Sequence, residues 1–151
     1  MPAAGDLILA ADFPAKVTAR VGATFTDFDP TGYEATSTPC EITFVVGTSG
    51  DGVLHFFVRW NPDTNGERLN ADVEIREDDS SGTPIHSPDE TTGGVSMRQG
   101  DAATAGDNFY GERDLNEFGL TPGGTYWAQL QIDLSGTTSD IFDQRLTFRP
   151  A

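Results

Sequence analysis

Two histidines, one cysteine and 24 acidic residues are the side chains from which this chain could build a reaction. His55 and His86 are far apart in sequence, and neither belongs to an HExxH or comparable metal-ligand spacing. His55 falls within an alternating segment and reads as a satisfied histidine on a sheet surface. His86 stands between Pro84 and Pro88 in an irregular stretch and reads as an exposed loop residue. No GxSxG elbow nominates a serine to join either of them in a triad, although triads are assembled in space. The carboxylates Glu74, Glu77, Asp78 and Asp79 cluster, as do Asp27 and Asp29. In so acidic a chain such clusters arise freely, and a glycosidase pair is defined by a separation that sequence does not contain. Asp63-x-Asn65-Gly66 looks like the start of a calcium loop, but its later ligands, ending in a bidentate glutamate, are not at the required spacing. Structural calcium is therefore a minority reading, and no other cofactor or metal is expected.

The remaining reactive or sticky side chains have plain roles. Cys40 is alone, so it has no intrachain disulfide partner, and its place before a strand suits a buried, inert thiol. Trp60 and Trp127 both fall on strands. Trp60 reads as core, whereas Trp127 lies on the polar face of its strand, either as an exposed ligand-stacking residue or covered by the N-terminal arm or another subunit. Arg145, preceded by Asp143 on the last strand, suits an ion pair across the hairpin or with a loop acid, and an exposed pair of that kind is worth about 0–1 kcal/mol. Taken together, these residues point to a protein without enzymatic activity.

The scaffold holding them is acidic and rich in turns. The chain has 151 residues and a formal charge of -15, with one lysine (Lys16) against eight arginines. Such a surface repels nucleic acid and anionic membranes. It fits a strongly solvated exported or particle-bound protein, adaptation to high salt, or divalent-cation binding. Residues 1–16 lack the basic segment and the apolar run of a signal peptide. No apolar stretch approaches the ~20 residues of a membrane helix. Synthesis in a cytoplasm is expected, with any later location reached by another route such as assembly into a particle.

Residues 1–14 read as an arm, with Leu7, Ile8, Leu9 and Phe13 apolar and Pro14 closing it; these residues either complete the core as an edge strand or dock on a neighbouring subunit, and residues 15–151 read as one domain. Alternation marks strands over Val17–Phe28, Cys40–Val46, Val53–Trp60 and Ala71–Glu77. The second and third of these, joined by the GTSGDG turn, suggest a central hairpin. A short strand is expected near Val95–Arg98 and another over Phe109–Leu115. The chain then closes on the TPGG turn (Thr121–Gly124), a strand with Tyr126, Ala128, Leu130, Ile132 and Leu134 on its apolar face, and a second strand returning as a hairpin. Asp72, Glu74 and Arg76 are expected outward, and loops 61–70 and 78–108 exposed. About eight strands with no amphipathic helical window define an all-β fold, an antiparallel β-sandwich of jelly-roll type.

Three segments carry a family resemblance: Val73-Glu74-Ile75-Arg76, the turn and strand from Leu120 to Tyr126, and Phe142-Asp143-Gln144-Arg145-Leu146 in the closing strand. With the opening GDLILAADFPAKV and the GTSGDGVLHFFVRW segment, they resemble the short minor tail proteins of tailed phages and prophages, especially those of actinobacteria. The resemblance implies a virion structural protein displayed at the tail or tail tip. It implies an arm (Leu7, Ile8, Leu9, Phe13) anchored on other virion proteins, a homotrimer, and loops facing solvent or a host-surface glycan. A capsid decoration or head-fibre protein would read similarly. A carbohydrate-binding module using Trp127 or loop tyrosines is the alternative from another class.

Overall fold

The computed structural model describes residues 14–64, 66–88, 95–98, 106–135 and 138–151. Period-two alternation becomes extended chain throughout. In order the strands are β1 (Val17–Val21), β2 (Phe25–Phe28), β3 (Glu41–Val45), β4 (Gly52–Pro62), β5 (Arg68–Glu77), β6 (Pro84–His86), β7 (Val95–Arg98), β8 (Asp107–Asp114), β9 (Thr125–Leu134) and β10 (Ser139–Pro150). A 3-10 helix, Leu115–Phe118, follows β8; the Asp114 carboxylate accepts the Asn116 amide at its start, and Gly119 ends it at φ 60°.

These strands form two five-stranded sheets. The first runs β1-β10-β4-β8, with β2 also on β10; the second runs β3-β9-β5-β6, with β7 also on β5. All pairings are antiparallel. Of the longer strands, β3, β5 and β9 belong to the second sheet and β4, β8 and β10 to the first. The chain thus crosses between layers repeatedly, as in a jelly-roll sandwich.

That crossing corrects both expected hairpins. β3 pairs with β9, whereas β4 lies between β10 and β8. β9 likewise pairs with β3 and β5, not with β10. The physical reason lies in the apolar faces. Each of these strands buries one side against the opposite sheet, so β3 and β4, like β9 and β10, lie in facing layers rather than edge to edge. Phe44 of β3 stacks on Phe148 of β10 with ring centroids 4.5 Å apart. Leu54, Val58, Trp60, Val73, Ile75, Leu130, Ile132, Ile141 and Leu146 are all fully buried between the layers. Each large side chain so buried contributes about 1.5–3 kcal/mol.

Two local devices set the registers. In β10 the pairing with β4 slips between Ile141 and Asp143. This bulge at Phe142 switches the inward phase from Ile141 to Gln144, Leu146 and Phe148. In the TPGG turn the Gly124 amide donates to the Thr121 carbonyl at 2.9 Å, and Gly123 takes φ 76°. Proline then glycine at the two central positions is what such a turn demands. The Thr121 amide also donates to the Tyr126 hydroxyl at 2.7 Å, tying the turn to the strand it launches.

The expected loops are shorter than the sequence suggests. β4 extends to Pro62 and β5 begins at Arg68, and the 78–108 stretch contains β6, β7 and the start of β8. The arm residues Leu7, Ile8, Leu9 and Phe13 lie outside the described residues.

Candidate functional site

β5 breaks its own alternation at Asp72. β7 pairs with Arg68–Ala71 and β6 with Ile75 and Arg76, leaving the edge beside Asp72 and Val73 to side chains. The Asp72 carboxylate turns into this gap and accepts the Val73 amide at 2.8 Å. It also accepts Arg113 Nε at 2.7 Å and Nη2 at 2.8 Å, and lies 2.9 Å from His86 Nε2. Asp72 is fully buried, and the side chains of His86 and Arg113 are only 10% and 11% exposed. Burial would raise the Asp72 carboxyl, but the hydrogen bonds from His86, Arg113 and Val73 and the Arg113 charge outweigh it and hold it below its usual range. Asp72 is therefore not an outward surface acid, and His86 is not an exposed loop residue. Its ring also packs against Phe118, centroid to centroid 5.0 Å. This cluster is a structural lock between the two sheets.

The other candidates are likewise occupied or scattered. Neither histidine hydrogen-bonds a serine hydroxyl among the described residues. Asp63 accepts the Thr138 hydroxyl, and no group of three or more potential ligands stands together among the described residues. Glu74 pairs with Arg76 at 2.6 Å and accepts Gln131 at 2.7 Å. Cys40 is fully buried; burial, with the Asp143 charge second, pushes its thiol up to about 11. Trp60 is core, as its alternation indicates.

Trp127 sits between Thr43 of β3 and Arg76 of β5 on the outward phase of β9. It is nevertheless buried, with 6% of its surface exposed. In this fold the ring does not present the open platform that a stacking residue requires.

An open platform exists on the opposite sheet. Strand register brings Arg20, Arg145, Phe57 and Tyr110 into one row across β1, β10, β4 and β8. The next row is Thr18, Thr147, His55 and Glu112. All are outward members of their strands. Tyr110 is 71% exposed, and its ring meets Phe57 at 4.9 Å with 50° between planes. The Arg145 guanidinium covers Phe57 at 5.2 Å. Arg145 also donates to Asp143 at 2.9 Å, and Arg20 engages the same carboxylate at 3.0 and 3.2 Å. Burial pushes Asp143 up, but Arg20 and Arg145 more than offset it, so its carboxyl lies below the usual range. His55 Nδ1 stands 3.7 Å from Glu112. Between these rows lies an open depression of about 230 Å³, bordered also by Arg149. Sequence reasoning had Arg145 pairing across a hairpin or with a loop acid, whereas it pairs with Asp143 of its own strand; it missed Phe57 and Tyr110. Phe57 is the outward-facing aromatic of an otherwise regular β4 alternation, which is the signal that could have singled it out.

The fold thus defines a two-layer antiparallel β-sandwich with a polar lock inside and an aromatic and arginine face outside. No family model matches the chain, and no curated protein matches it. Among solved structures, a chain of infectious bursal disease virus, Gx strain, aligns at TM-score 0.50 and 15% identity, covering 91% of this chain and 32% of that one. The C-terminal CBM6 of a laminarinase, LamC, from Zobellia galactanivorans aligns at TM-score 0.37 and 10% identity, over 88% and 99% of the two chains. A family 35 carbohydrate binding module from Clostridium thermocellum gives 0.36 and 12%, over 91% and 99%. At these identities the likeness is one of fold. The chain spans about a third of the viral chain it matches.

Proposed function

We propose that this chain is a non-enzymatic structural protein of a tailed-virus particle, a β-sandwich displayed at the tail or tail tip. The observation that carries the reading is the use to which its reactive side chains are put. His86, Asp72 and Arg113 are consumed by one buried structural cluster, while an exposed aromatic and arginine face is left for contact. The sequence motifs at Val73–Arg76, Leu120–Tyr126 and Phe142–Leu146 supply the link to minor tail proteins. A viral chain sharing the sandwich fold is in keeping with it. In this reading Leu7, Ile8, Leu9 and Phe13 anchor the module to neighbouring virion subunits, and three copies close around an axis.

Copy number per purified particle, by quantitative mass spectrometry against the major capsid protein, tests this directly. A handful of copies is expected. Stoichiometry near that of the capsid protein would move the chain to the shell as a decoration protein, and absence from particles would end the virion reading. Deletion of residues 1–13 should leave the sandwich folded but abolish incorporation; normal incorporation would refute the anchoring role.

A further inference from the structure

Cations are scarce in this chain, and half of the arginines lie on one sheet face. Arg20, Arg59, Arg145 and Arg149 all stand at outward positions of the β1-β10-β4-β8 sheet, four of eight in a chain of charge -15. His55 stands among them. Arg145 is partly spent on Asp143 and Phe57. Arg149, at the rim of the depression, is exposed and has no side-chain partner among the described residues. Tyr110, which also borders the depression, has one flank against Phe57 and most of its surface open. Its hydroxyl also lacks a partner among the described residues.

An open apolar ring and a guanidinium without a side-chain partner among the described residues, both bordering one depression, fit a ligand that combines an apolar face with a carboxylate. We propose that this depression binds a single carboxylated sugar at the end of a glycan. Its pyranose ring lies on Tyr110, and its carboxylate takes charge-assisted hydrogen bonds from Arg149 and Arg145. Thr147 and His55 are placed for its hydroxyl groups. The size agrees: about 230 Å³ falls below the ~300–1,000 Å³ of pockets that enclose a drug-sized ligand, and suits one ring on an open sheet. The overall charge also selects. A polyanion such as nucleic acid would meet the repulsion of the whole acidic surface, whereas one carboxylate is governed by the arginines within a Debye length of about 8 Å. The face is separate from the proposed arm anchor and does not depend on the particle assignment.

The test is a titration of the ¹⁵N-labelled full chain with 3′-sialyllactose and methyl β-glucuronide, against lactose and methyl β-glucoside, followed by amide chemical shifts. The acidic probes should give saturable shifts centred on His55, Phe57, Tyr110, Thr147 and Arg149, with the neutral probes at least about tenfold weaker. Tyr110→Ala and Arg149→Gln should each weaken binding about tenfold, as truncating an interface anchor does. Both side chains are exposed, so both variants should retain the folded spectrum. Raising salt from roughly 0.05 to 0.5 M should weaken binding further. Absence of saturable shifts, equal response to the neutral sugars, or shifts mapping to another face would each overturn the proposal. So would sedimentation showing that Tyr110→Ala dissociates a dimer, because the occupant would then be a second copy. Particle copy number is an independent readout, so failure here and failure of the virion reading remain distinguishable.

Discussion

Asp72→Asn should be among the most destabilising single-atom changes in the fold. The substitution keeps the shape of the side chain and removes the charge that faces Arg113 and His86. Arg113 is then a nearly buried cation without its carboxylate, and breaking a buried pair from one side costs about 3–5 kcal/mol. A domain of this size has about 5–15 kcal/mol in total, so the loss is a large fraction. It corresponds to a fall in Tm of roughly 6–20 °C at about 2–4 °C per kcal/mol. Urea unfolding at pH 7, followed by the fluorescence of the buried Trp60 and Trp127, would read it as a lower midpoint with an unchanged slope. The pH dependence is a second readout. Asp72 titrates below its usual range when folded, so the unfolded chain binds more protons in the window between the two pKa values, and stability rises with pH there. The stabilisation is present above the unfolded value of about 3.9 and is lost as pH falls through the folded one. The gap between wild type and Asp72→Asn should therefore narrow in acid. Adding Arg113→Met to Asp72→Asn should cost less than the sum of the single changes, since no orphaned charge remains. A loss under about 1 kcal/mol, or an additive cycle, would refute the lock.

Three further outcomes follow from the packing. Gly111→Ala would place a Cβ 2.3 Å from the ring of buried Phe56, so it should destabilise by about 1–3 kcal/mol through overpacking, read by thermal unfolding; an unchanged Tm would show that the ring can yield. Arg20→Ala removes a side chain that is 61% exposed from an ion pair with Asp143, and denaturant unfolding should show a loss of no more than about 1 kcal/mol. Cys40, with its thiol raised to about 11, should react slowly with a thiol-disulfide reagent at pH 8 in the native state and rapidly in urea. Equal rates in the two states would place the thiol at the surface.

Strand faces were legible because burial on one side leaves a period-two record in the residues themselves. Leu54, Phe56, Val58 and Trp60 are inward, and His55, Phe57 and Arg59 outward, as alternation indicates. The same holds for Tyr126, Ala128, Leu130, Ile132 and Leu134. Partners were not legible, because an apolar face records that it is covered and not by what. The β3–β4 and β9–β10 turns would serve a hairpin or a crossing between layers equally well. Exceptions to alternation were hidden for a related reason. Asp72 occupies an outward position by period, yet it is buried against His86 and Arg113, which arrive from 14 and 41 residues away in sequence. Trp127 likewise reads as outward and proves buried.

The open face was hidden most thoroughly, since Phe57, Tyr110 and Arg145 become a row only through the β10-β4-β8 order. Its character still has a physical reading. Solubility does not require these arginines, because a charge of -15 already supplies it. Edge protection does not require them either. The free edge β8 carries Asp107, Glu112 and Asp114, and the free edge β3 begins with Glu41; such charges discourage strand addition by another chain. With charges on these two outer strands, sheet surfaces, loops and the arm are better placed than β3 or β8 to meet a partner. The first sheet is where the described residues concentrate cations around an exposed aromatic ring, at the cost of holding like charges close together. Asp143, bridging Arg20 and Arg145, offsets part of that repulsion. Arg149 at the rim has no side-chain partner among the described residues, which is the arrangement expected if its counter-charge arrives with a ligand.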